Sequence, residues 1–127
     1  MYRFLFIAFA LIAAAATPVL GAEDHDHDSK HGGVVVEIGH HHLEVIARDG
    51  LLEVHVTGED DKPEDVGAAN ASAVVLSEGK KVDVALAAAG GNLLKGTGAF
   101  RAAKGTTIVI TLTMPDHAPE QVRVELD

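Results

Sequence analysis

His42-Leu43-Glu44-Val45-Ile46-Ala47-Arg48-Asp49-Gly50-Leu51-Leu52-Glu53-Val54-His55-Val56-Thr57 alternates apolar and polar residues on both sides of an Asp-Gly pair. Alternation at a period of two marks a half-buried strand, and Asp-Gly between two such runs is a strong hairpin signal. With Asp49-Gly50 as a two-residue turn, Arg48 pairs with Leu51, Ala47 with Leu52, Val45 with Val54, and Leu43 with Val56. The last three pairs face the core. Ile46 with Glu53, Glu44 with His55, and His42 with Thr57 then face the other way, because side chains alternate across a strand.

Upstream, Gly39-His40 as a second turn pairs Val36 with Leu43 and Glu37 with His42. Glu37, His42, Glu44 and His55 become neighbours on one surface. A longer loop through His40 and His41 shifts the first strand and removes Glu37, but leaves Glu44 opposite His55.

The rest of the chain breaks into similar short runs. Strands are expected at Val34 to Ile38, Leu43 to Ala47, Leu51 to Thr57, Ser72 to Ser77, Val82 to Ala87, Leu93 to Phe100, Thr106 to Thr113 and Gln121 to Leu126. Glu59 to Asp65 reads as an acidic loop, and turns fall at Glu78-Gly79-Lys80, Gly90-Gly91-Asn92 and Lys104-Gly105. In the seventh run Ile108, Ile110 and Leu112 share one face. Ala85 to Ala89 hints at helix, but Val82, Val84 and the double glycine make it a strand end. The expected fold is all-β, an antiparallel immunoglobulin-like β-sandwich of seven or eight short strands, without that fold's usual tryptophan and cysteine pair.

Before these strands come two segments of different character. Met1-Tyr2-Arg3 followed by the apolar run Phe4 to Ala16, Pro18 and the small residues Gly21 and Ala22 reads as a secretory signal peptide, residues 1–22. The apolar run is shorter than the roughly 20 residues of a spanning helix, so no stable membrane insertion is expected after cleavage. Residues 23–32 form an acidic, histidine-rich tail expected to be disordered, and residues 33–127 the β-domain. Removing 22 of 127 residues leaves 105, room for one domain. The location expected is periplasmic or secreted.

Composition narrows the function classes. The chain has no cysteine, which removes disulfides, thiolate ligands and a lipidated N-terminal cysteine. Its net charge is −9, and −10 once Arg3 leaves with the signal, which repels nucleic acid and favours cations. Phe100 is the only aromatic residue after the signal, so base stacking has no platform. No Gly-x-Ser-x-Gly elbow, phosphate-binding glycine loop or His-Glu-x-x-His helix is present, which argues against an enzyme.

Histidine is where the chemistry concentrates. Six of eight histidines fall between His25 and His42, interleaved with carboxylates. Imidazole with carboxylate is a ligand set for divalent zinc, copper, nickel or cobalt. The metal-ligand candidates are His25, His27, His31, His40, His42, Glu44 and His55. His117 reads as a loop histidine, and Met114 alone does not make a copper(I) site. Cleavage after Ala22 creates a chain beginning Glu23-Asp24-His25, whose amine, two amides and imidazole form a square-planar copper(II) or nickel(II) motif; cleavage after Gly21 abolishes it.

His31-Gly32-Gly33-Val34-Val35-Val36, His42-Leu43-Glu44-Val45 and the Asp49-Gly50 hairpin resemble small exported proteins associated with heavy-metal efflux systems. They are also similar to the histidine-rich N-terminal region of some periplasmic adaptor subunits of cation efflux pumps. The resemblance covers His31 to about Thr57. It implies periplasmic handling of divalent metal as buffer, sensor or delivery protein, with His31 and His42 at matching positions and an efflux component as partner. The chain lacks the helical hairpin and lipoyl-like portions of a full adaptor. The alternative is an extracytoplasmic interaction domain with no specific metal, using a sheet edge or the Glu59-Asp60-Asp61 loop, its histidines acting at most as a pH switch.

Overall fold

A computed structural model describes residues 29–127. The expected signal peptide, the tail up to Asp28 with His25 and His27, and the amino-terminal copper motif lie outside the described residues. Within them the fold is all-β: β1 (Val34–Ile38), β2 (His41–Arg48), β3 (Leu51–Gly58), β4 (Asn70–Ser77), β5 (Lys80–Ala88), β6 (Leu93–Thr97), β7 (Thr107–Thr113) and β8 (Glu120–Glu125).

Both expected turns form. Arg48 pairs with Leu51 and Glu44 with His55, while Ile38 pairs with His41 and Glu37 with His42, so Gly39-His40 is a two-residue connection. Gly50 has φ 74° and Gly39 φ 55°, left-handed values that glycine adopts without a Cβ penalty. Every strand but β1 differs from the sequence reading at one or both ends, mostly by one or two residues, and two of the differences have a clear cause. β2 begins at His41 instead of Leu43, because the tight turn leaves His41 in the ladder. β6 stops at Thr97: Phe100 is buried and its carbonyl accepts the Gly50 N–H, so residues 98–100 close around the β2–β3 turn instead of extending the strand.

The strands pair antiparallel in the order β1-β2-β3-β6-β5-β4-β7-β8, and the outermost two, β1 and β8, lie against each other. The sheet is therefore nearly closed and barrel-like. Connections 59–69 and 98–106 each pass over two strands of that order. Alternation sends one side of every strand into a common interior of Leu43, Val45, Leu52, Val54, Val56, Val75, Val84, Leu94, Ile108, Ile110, Leu112 and Val124, to which β1 contributes Ile38 and the partly buried Val36. Burying a Val, Leu or Ile side chain contributes about 1.5–3 kcal/mol. With no disulfide, this aliphatic interior is what holds the fold.

Candidate functional site

On the outer face of β2 and β3, alternation places His42, Glu44 and His55 side by side, as the hairpin register requires. That face is not open. Residues 29–33 fold back across it, and His42 and Glu44 are buried, at 8% and 7% exposure.

The Glu44 carboxylate draws the segment in. It accepts hydrogen bonds from Ser29 Oγ at 2.7 Å, from the backbone N–H groups of Lys30 and His31 at 3.1 and 2.8 Å, and from Gly33 N–H at 2.9 Å. Burial acts to raise its pKa, but the Ser29, Gly33 and His31 hydrogen bonds outweigh it and hold the carboxyl at about 2. Two glycines let the backbone come this close. Gly32 has φ 76°, and a Cβ on Gly33 would stand 2.5 Å from the Val45 carbonyl oxygen.

His31 is set in place by the same carboxylate. Its Nδ1 lies 2.8 Å from Glu44 Oε1. An ionised carboxylate only accepts, so Nδ1 carries a proton, and in the neutral form of the ring the lone pair is at Nε2. A carboxylate behind an imidazole in this way is the usual outer partner of a metal-binding histidine. The His31 ring stacks flat on His55, with centroids 3.8 Å apart and planes 4° apart. Burial and the neighbouring His31 push the His55 pKa down from 6.5, which keeps that ring neutral and ligand-competent at neutral pH.

These groups line a cavity of about 450 Å³ with His42, Asp61, Pro63 and Asn92. His42 Nε2 is 3.3 Å from Glu37 Oε1 and its Nδ1 is 3.5 Å from Asp61 Oδ1. The cavity thus gathers three imidazoles with carboxylates behind two of them. Both Glu44 oxygens are committed to residues 29–33, which makes Glu44 an orienting group. The imidazoles of His31, His42 and His55, with Asp61, are the side chains able to take an ion.

Of the other candidates, His40 projects from the β1–β2 turn, 80% exposed, with Nδ1 2.8 Å from Glu59 Oε1. The Glu59 hydrogen bond and charge raise its pKa. Asp61 and Glu64, from the acidic loop, were not foreseen as neighbours of histidines. Neither was His41, which is buried and 2.9 Å from Glu64 Oε2. Only the position of His41 in a strand of alternating faces could have signalled that it points away from His42. Among the described residues no three histidine, aspartate or glutamate side chains are already converged on one point for a metal ion. Parallel stacked rings do not aim their lone pairs at a common centre, so an ion needs one ring to turn.

Comparisons with protein families, with curated proteins and with solved structures each find no match. Among the described residues no helix is long and apolar enough to cross a membrane.

Proposed function

We propose that this is an exported, non-enzymatic protein that binds divalent transition metal, serving as a buffer, sensor or delivery protein in metal efflux or homeostasis. One observation carries the reading: Glu44 holds His31 with its Nε2 lone pair available, stacked against a neutral His55 at a cavity that also contains His42 and Asp61. Rotating His31 or His55 out of the stack opens an imidazole-rich site of the kind zinc, copper, nickel and cobalt occupy. The net charge of −9 draws cations toward it. Likeness of the His31-Gly32-Gly33 and His42-Leu43-Glu44 stretches to efflux-associated proteins supports the periplasm as the location.

The fold is read in finer detail as a flattened barrel, sandwich-like in cross-section, with β1-β2-β3-β6 on one side and β5-β4-β7-β8 on the other. The short seam between β5 and β6, only two residue pairs, supports this division.

Calorimetric titration of untagged protein with zinc, copper(II), nickel and cobalt tests the function. A saturable site weakened at least tenfold by His55→Ala is expected. Heats no different from those of an acidic, histidine-poor control would transfer the reading to an interaction domain. N-terminal sequencing of exported protein tests the signal, and a start at Glu23 adds the copper motif at His25.

A further inference from the structure

Side chains alternate along β2, so His41 and His42 lie on opposite faces and only His42 reaches the cavity. The His41 side chain is 7% exposed, with Nδ1 2.9 Å from Glu64 Oε2. Both ring nitrogens are buried and neither makes a hydrogen bond, the Glu64 contact being short but poorly aligned. A buried imidazole left this way is unusual, since buried polar groups are otherwise paired with protein, water or an ion.

The exposed His117, in the β7–β8 connection, packs edge to face on His41 with ring centroids 5.9 Å apart and planes at 73°. That spacing is informative. Two imidazoles bound to one zinc through nitrogens at about 2.0–2.1 Å have ring centres roughly 5–6 Å apart. His41 and His117 are therefore spaced as two ligands of one ion are, once their rings turn toward it. The Glu64 carboxylate, 2.9 Å from His41 Nδ1, occupies that side of the ring, which leaves Nε2 as the ligand atom.

We propose that His41 and His117, with Glu64 behind His41, form a second site for a divalent ion of the zinc class, separate from the cavity of His31, His42 and His55. Two imidazoles bind the ion and water completes its shell. The site stands on its own geometry and does not depend on the cavity reading.

Zinc titration of untagged wild-type protein, His117→Ala, His55→Ala and the double variant tests it. His117→Ala is expected to bind one equivalent fewer than wild type while keeping the equivalent that His55→Ala removes. His117 is exposed, so its variant should keep the wild-type urea midpoint without metal, and zinc should raise that midpoint in His55→Ala but not in the double variant. If His117→Ala binds as many zinc ions as wild type with unchanged affinities, the second site does not exist. If instead His55→Ala leaves binding intact while His117→Ala removes it, the cavity reading fails and this site remains.

Discussion

At Glu44, strand alternation puts a carboxylate on the outer face, and residues 29–33 then cover it with donors. A buried anion is costly unless its lone pairs are filled, and here they are filled by backbone N–H groups, Ser29 and the His31 ring. Glu44→Gln keeps the shape but sets an amide NH2 against those donors. It should cost about 1–3 kcal/mol at pH 7, measured by urea denaturation. The pH dependence has a definite sign. The carboxyl titrates at 4.5 when unfolded and at about 2 when folded, so the folded state binds fewer protons. The wild-type advantage is full above pH 4.5, fades as pH falls toward 2, and the two proteins should converge there. Equal stability at pH 7 would mean the tail segment is not held by this residue. Glu44 was identifiable from the sequence as a neighbour of His55, but not as an anchor, because its donors at Ser29, Lys30 and His31 come from a segment read as a disordered tail.

The β2–β3 hairpin is the element most legible in the chain. Its register follows from Asp49-Gly50 and the alternation of Leu43, Val45, Leu52, Val54 and Val56, all of which are buried. The segment before β1 is the opposite case. Ser29 to Gly33 carries no periodic pattern, and its course is set by a close approach to β2 that only glycine permits at position 33. Gly33→Ala places a methyl against the Val45 carbonyl and the Ile46 side chain. It should destabilise the protein by about 1–3 kcal/mol in thermal unfolding and separate the His31 and His55 ring signals in NMR, without altering the β2–β3 ladder. An unchanged melting temperature with unchanged ring signals would show that the segment does not pack as described.

For the molecule as a whole, closure of the sheet is uneven. β4 pairs with β5 and with β7 over seven residue pairs each, but the β5–β6 ladder has two, Ala87 with Lys95 and Ala88 with Leu94, extended by one hydrogen bond from Ala89 N–H to the Leu93 carbonyl. Amide exchange should accordingly be faster at the β5–β6 seam than at Val75, Val84 or Ile110, whose protection should approach global unfolding. Uniform protection across all three strand pairs would refute an uneven barrel. Local alternation and turn chemistry by themselves determined an all-β chain of seven or eight strands, the β2–β3 register, the aliphatic core and the grouping of His42, Glu44 and His55, because each depends on neighbours a few residues apart; the β1–β2 register stayed open between two loop lengths. Only the tertiary structure decided the order in which the strands close, the burial of Glu44 beneath residues 29–33, the stacking of His31 on His55 and the meeting of His41 with Glu64 and His117. Those contacts join residues 11 to 76 positions apart in the chain. No local propensity encodes them: those of Glu44 and His31 arise when residues 29–33 fold back across β2 and β3, and the meeting of His41 with Glu64 and His117 when the acidic loop and the β7–β8 connection come to the same end as the start of β2.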